Sequence, residues 1–421
     1  MFLKFISSKI SFCITVEPLC VALDILSIFY KIKYINNKIC IEMTGIEMTE
    51  ELRNRYEEFI NFNLHDKPIL NKVRAKLNKI KIGEHFIISF DDTNEMEIFC
   101  ENIVKYLDDG LTMEESLEKT RIDMETLNFH FGTLLSNYEL KTFGTEIRTK
   151  IGNANKEEKI CRFCGKSEKS NPPATFRQKA HAISEALGFK NIIAREECDL
   201  CNKKFGDTIE QDLIEYFKPT LIFSGIKGKN GVPEFKNNKM RIKNTSTDKE
   251  KTIEFHLKEQ IVDKENGEFS LNAVSQKSVC PANIYKSLCK YTLSVIPDEL
   301  LENFKDTIKW IVSEEKDNKL LPKVARQLGI CQHEFFVFIR KNDDISLPYM
   351  FCILGVGLTS LAYIVPFSSK DKLEFLKDEE YKHFLSTVKI LNNSIFNDFS
   401  SYEKIELKTT INFKQSANSQ V

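Results

Sequence analysis

Apolar residues recur at three- and four-residue intervals in residues 52–62 and 69–80, a spacing that predicts two helices. Residues 85–90, HFIISF, read as a strand. Thr112 and Glu115 have the spacing of a capping box and open a short helix. After a turn at Arg121-Ile122, Asp123 caps a second helix with Leu127, Phe131 and Leu134 on one face. Two short helices around a tight turn suggest a helix-turn-helix over 112–135. The alternative is an ordinary helical hairpin, since basic residues are few and the turn has no glycine. Residues 150–159, with the run NANKEEK, read as a polar linker. Later in the chain, 207–216 predicts a helix that Pro219 ends, and 284–310 predicts two amphipathic helices broken at Pro297. Residues 334–367 are β-rich, with a turn at Asp343-Asp344, and 373–396 predicts a closing helix or two. The last few residues read as disordered.

Two stretches raise the question of a membrane. Residues 347–367, LPYMFCILGVGLTSLAYIVPF, carry no charge. Gly355, Gly357 and Pro366 among β-branched and aromatic neighbours favour two buried strands joined by a glycine turn. Residues 1–42 open like a signal, but Lys9, Glu17, Pro18 and Asp24 interrupt every apolar run. A spanning helix needs roughly 18 uninterrupted apolar residues, and the small-residue cleavage site of a signal peptide is missing. Met43 and Met48 both precede a polar helix, so translation is expected to start at one of them, with 1–42 a leader that is not translated.

Composition narrows the class. At 421 residues with 42% hydrophobic content, the chain can bury sizeable cores and is expected to form two or three domains. Its 29% charged residues argue against a membrane protein, and the net charge of −1 gives no global attraction to nucleic acid. Any such affinity must come from local patches, such as 225–251, where eight basic residues meet three acidic ones. That run is a solvated face or a phosphate-tracking arm. Of 12 cysteines, eight stand singly (Cys13, Cys20, Cys40, Cys100, Cys280, Cys289, Cys331 and Cys352), a pattern of a reducing, cytoplasmic compartment.

The other four form two Cys-x-x-Cys pairs, Cys161/Cys164 and Cys198/Cys201. Two such loops supply the four thiolates of a tetrahedral zinc site. The 33 residues between the pairs exceed the roughly 15 to 20 of a zinc ribbon and leave room for a β-hairpin. That interval holds one histidine, His181, whose neutral imidazole suits a general base near neutral pH.

The succession Cys161–Cys164, His181-Ala-Ile, Leu187-Gly188, Asn191-Ile192-Ile193 and Cys198-Asp-Leu-Cys201-Asn202 resembles the HNH endonucleases. Their ββα-metal (His-Me finger) module often sits on a four-cysteine zinc, and one subgroup carries CNxxFG after the second knuckle. The resemblance covers about 60 residues of 421. It implies that His181 is the general base, that Asn191 orients it, and that Asn202 on the opening helix binds a catalytic Mg²⁺ or Mn²⁺. Many members place Asp or His directly before the histidine as a metal ligand, where this chain has Ala180; Glu196 and Glu210 are candidate substitutes. Stand-alone proteins of this appearance resemble bacterial restriction or phage-defence nucleases.

The expected fold is therefore α+β and multi-domain: a leader (1–42), a mainly helical region (43–155), a zinc-braced ββα-metal module (156–217) and a mixed C-terminal domain (218–421). The expected function is metal-dependent hydrolysis of phosphodiester bonds in nucleic acid, DNA before RNA. No membrane is involved, and a homo-oligomer is allowed. The alternative is a non-catalytic, zinc-containing DNA-binding protein that reads DNA through its 112–135 helices.

Overall fold

The computed structural model describes residues 2–35, 38–41, 44–63, 65, 69–90, 93–146, 148–237, 240–247, 251–257, 268–275, 277–316, 319–329 and 333–414. Met43, Cys331 and the last residues, 415–421, lie outside them. The chain divides into two compact units, Met1–Phe129 and His130–Val421.

The first unit contains β1 (Phe2–Ser7), β2 (Ser11–Thr15), α1 (Leu19–Phe29), β3 (Ile32–Ile35), β4 (Lys38–Ile41), β5 (Ile46–Glu47), α2 (Glu50–Asn63), α3 (Ile69–Leu77), β6 (His85–Ser89), α4 (Asn94–Asp108) and α5 (Met113–Leu127). Four strands pair in the order β2-β1-β6-β5. Alternation assigns each residue of the central strands to a face. Leu3, Phe5, Phe86 and Ile88 join the core under α1, α2 and α3, while Ile6 and Ile87 point the other way into a small core with α4. The first 35 residues include β1, one of the two central strands of this sheet. Their apolar runs are short because strand and helix alternate there. The turn expected at Arg121-Ile122 is absent: α5 runs unbroken through it, and Asp123 accepts a hydrogen bond from the Tyr106 hydroxyl instead of capping a helix. The capping box at Thr112 and Glu115 is present.

The second unit contains α6 (Thr133–Asn137), β7 (Tyr138–Gly144), β8 (Thr149–Ile151), β9 (Ala180–His181), β10 (Ile192–Ala194), α7 (Asp199–Asp207) and α8 (Ile209–Ser224). There follow β11 (Phe235–Lys236), β12 (Met240–Asn244), β13 (Ile253–Leu257), β14 (Glu268–Val274), α9 (Pro281–Val295), α10 (Asp298–Leu301) and α11 (Lys305–Val312). The unit closes with β15 (Val324–Leu328), β16 (Glu334–Arg340), β17 (Met350–Val356), β18 (Thr359–Ile364), α12 (Asp378–Thr387), β19 (Ile395–Asn397) and β20 (Lys408–Lys414).

A six-stranded sheet, β19-β15-β18-β17-β16-β7, organises this unit. Met350, Cys352, Leu354, Leu361 and Tyr363 face the large core with α8 and α9, and Phe351, Ala362 and Ile364 face a second core with α12. Burial on both faces explains why residues 347–367 are apolar throughout. They form the two strands expected, joined through Gly357 at φ 58°. Among the described residues, no helix is long and apolar enough to cross a membrane.

Three expectations are corrected here. Pro219 does not end a helix; α8 continues to Ser224, held by the burial of Thr220, Leu221 and Ile222, and stops at Gly225 in the left-handed region. Helix α9 is not amphipathic: all of its residues except Asn283 are buried, Lys286 and Lys290 included. Residues 156–217 share one continuous core with the C-terminal region, which follows from α9 filling the space between them. The lysine-rich stretch forms the sheet β11-β12-β13, with Phe235, Met240 and Ile242 inward and Lys236, Arg241 and Lys243 exposed.

A four-cysteine centre beside a buried-histidine hairpin

The first Cys-x-x-Cys pair lies on a tight turn, where the Gly165 N–H donates to the Cys161 carbonyl at 2.8 Å with Gly165 at φ 68°. The second opens α7, with Cys198 as its N-cap. Its sulfur accepts from the Cys201 N–H at 3.5 Å, and the Cys161 sulfur accepts from the Cys198 N–H at 3.5 Å. The four sulfurs lie within 4.8 Å of one another, and Cys164 and Cys198 are 3.7 Å apart. A disulfide needs about 2.05 Å, whereas sulfurs on a tetrahedral zinc, each about 2.3 Å from the ion, stand about 3.8 Å apart. Hydrogen bonds from the Cys161 and Cys201 thiols and the Cys201 N–H hold Cys198 far below the usual thiol range. Cys161 and Cys201 are pushed up, chiefly by the bonds they make to the other sulfurs. Four sulfurs so placed could hold a structural metal ion such as zinc.

Around it, the knuckles are wired into the core. Arg162, between the first two cysteines, bonds Glu196 at 3.2 Å and Asp298 at 2.5 Å. It also donates to the carbonyls of Leu293 and Ile296 at the C-terminal end of α9, where a cation is favoured. Asp199 accepts from the Thr175 hydroxyl (2.7 Å) and from the N–H groups of Gln178 (2.8 Å) and Arg177 (3.1 Å). Burial pushes its pKa up, but these bonds outweigh it and the net shift is downward. The second knuckle thereby fixes the segment that leads into β9.

Strands β8, β10 and β9 form a small sheet in which Ile193 registers with Lys150 on one side and His181 on the other. Registered side chains share a face. Lys150, Ile193 and His181 therefore project together, while Ala180, Ala182, Ile192 and Ala194 project into the core. Residues 150–159, expected as a linker, begin with the strand that completes this sheet. Ala180 faces the closed side, so a ligand at that position would be buried away from His181.

The His181 side chain is 14% exposed, and its Nε2 lies 3.5 Å from Glu185. Its Nδ1 is buried without a hydrogen-bond partner of good geometry, although the Phe189 backbone is near enough to favour the protonated ring. Burial, then the nearby Lys179 ammonium, lower its pKa below the ordinary 6.5 against the pull of Glu185, leaving the ring neutral at neutral pH. His333 bonds the Leu187 carbonyl through Nε2 at 2.7 Å and meets the Phe189 ring edge-on at 4.8 Å.

Beneath this hairpin lies Lys290 of α9. Its ammonium is 3.0 Å from Glu197 and 3.1 Å from Glu210, with Lys290 and Glu197 both 1% exposed, and it donates to the His181 carbonyl at 3.3 Å. Burial pushes Glu197 up to about 7, against the pull of Lys290. The cluster joins the second knuckle, α8 and the His181 strand.

Asn191 directly precedes β10, and Asn202 lies near the start of α7. Asn191 donates to the Thr145 carbonyl at 2.7 Å, so its amide fixes the connection between β7 and β8 and makes no bond to His181. Asn202 lies within α7, its N–H bonded to the Cys198 carbonyl, and is not the N-cap. The carboxylates suggested in place of a ligand at 180 are already engaged, Glu196 with Arg162 and Glu210 with Lys290. Among the described residues, the four cysteines are the only group of three or more His, Cys, Asp or Glu side chains placed to hold an ion. No second group of such side chains surrounds His181 among the described residues. Sequence reasoning missed Glu185, Asp199, Lys290 and His333. Only the first two carried a local signal, lying close to the histidine and within the second knuckle.

No protein-family model, curated protein or solved structure matches this chain.

Proposed function

We propose that the protein is a zinc-braced nuclease that hydrolyses phosphodiester bonds in nucleic acid, DNA before RNA, with His181 as its general base. The observation that carries this reading is a neutral, partly exposed histidine on the same sheet face as Lys150, about 10 Å away across two strand spacings, with Lys179 close enough to depress its pKa. Cations flanking a base are what a phosphodiester needs: they neutralise the phosphate while the base takes a proton from water. Nε2 is the working atom, since Nδ1 is buried, and Glu185 stabilises the imidazolium that forms. Thiolates select zinc at the four-cysteine centre, which fixes the segment entering β9 through Asp199. The choice of DNA rests on the HNH resemblance of residues 161–213. No step is assigned to a second ion.

The test is cleavage of plasmid and of single-stranded RNA by the full chain, with and without Mg²⁺ or Mn²⁺, beside His181→Ala of equal zinc content. Loss of cleavage of at least a hundredfold, within the range for removing a general base, is expected in the variant. Equal cleavage by both proteins, or none by either with zinc bound, would overturn the assignment.

A further inference from the structure

The second unit also contains a cavity of about 590 Å³ lined by α8, β11, β12, the end of β15 and the starts of β18 and β20, with neither His181 nor a knuckle cysteine in its wall. Small-molecule sites run from about 300 to 1,000 Å³ and combine an apolar wall with a few convergent polar groups. Here Phe223, Phe235, Ile242 and Leu407 supply the wall. The polar groups are cationic. Arg326 and Lys408 line the cavity with no ion pair among the described residues, whereas Lys218 is compensated by Glu215 at 3.2 Å.

Two buried polar atoms there lack a hydrogen bond of good geometry, Nε of Arg326 and the hydroxyl of Tyr216. The two side chains are neighbours: burial raises the Tyr216 pKa, and the Arg326 guanidinium draws it back through its charge and through a hydrogen bond to the hydroxyl. A guanidinium carries five N–H donors, more than one hydroxyl can satisfy, so Arg326 keeps donors for a ligand acceptor. The neighbouring hydroxyls of Thr220 and Thr359, by contrast, bond each other at 2.9 Å.

We infer that this cavity binds a small amphipathic anion, its carboxylate or phosphate on Arg326 and Tyr216 and its apolar body against Phe223 and Phe235. The chemistry is shared by an aromatic phosphate and by an aliphatic carboxylate. Binding here is independent of nuclease activity.

The experiment is calorimetric titration of the full chain with adenosine monophosphate, decanoate, inorganic phosphate and uncharged adenosine. At least one of the two amphiphiles is expected to bind wild-type protein, and which one identifies the source. Phosphate and adenosine, each holding half of the required chemistry, are expected to bind at least tenfold more weakly. Arg326→Met should weaken binding by about tenfold to a hundredfold, the range for a charge-assisted hydrogen bond. Lys408→Gln, at an exposed position, should weaken it by a smaller factor; it serves as the readout if Arg326→Met does not fold. Failure of both amphiphiles to bind, or binding undiminished in Arg326→Met or, in its place, Lys408→Gln, overturns the inference.

Discussion

At the scale of single residues, the site depends on charges held where water cannot reach them. Removing one member of a buried ion cluster leaves the others unpaired, at a cost of about 3–5 kcal/mol. Lys290→Met should therefore destabilise the second unit by that amount in denaturant unfolding. The same change combined with Glu197→Gln and Glu210→Gln should recover much of the loss. If the single and triple variants are equally unstable, the lysine stabilises through its cation–π contacts with Phe205 and Tyr291 and not through its ion pairs. His181 gives a prediction in pH. Its folded pKa is depressed, so the neutral ring's contribution to stability is present above 6.5 and is lost as pH falls through the folded value. Cleavage should follow the same direction, constant at alkaline pH and falling on acidification with a midpoint below 6.5. A midpoint above 6.5 would show that Glu185 outweighs burial and Lys179.

Among the elements, the turn joining β17 and β18 carries the sharpest local constraint. Gly357 is at φ 58°, and a Cβ there would run into the Ser224 side chain at the end of α8. Gly231 has φ 88° but open space around it. Alanine at 231 should cost about 1–2 kcal/mol from the backbone alone, and alanine at 357 more, read as a larger fall in thermal midpoint. Elements such as β17 and β18 were legible because burial on both faces leaves a continuous apolar run bracketing a glycine. The knuckles were legible because four cysteines in two short loops have few other uses. Pro219 misled, since its local preference to break a helix is outweighed by the burial of Thr220 and Leu221. Lys290 could not be read at all: nothing near it in the chain announces Glu197 or the His181 carbonyl, which reach it only through tertiary packing. Asp123 read as a cap because short polar residues favour helix starts, but a Tyr106 hydroxyl satisfies it mid-helix.

On the scale of the molecule, the two units have separate cores. Deleting residues 1–42 removes β1, β2, α1, β3 and β4, including the fully buried Leu3, Phe5, Ile25 and Leu26, and strips β6 of its central partner. The first unit should then lose protease resistance, while the second, with no part in that core, retains its metal. Full resistance after the deletion would show that residues 44–129 hold themselves together.

Strand β7 pairs along its whole length with β16, Gly144 opposite Glu334 and Tyr138 opposite Arg340. On the ribosome, the cysteine knuckles emerge before α9, which fills the core beneath them, and before β16. Contacts closing so long a loop form slowly and late, so the edge of β7 waits unpaired through most of the synthesis of the second unit, while all four cysteines are already made by residue 201.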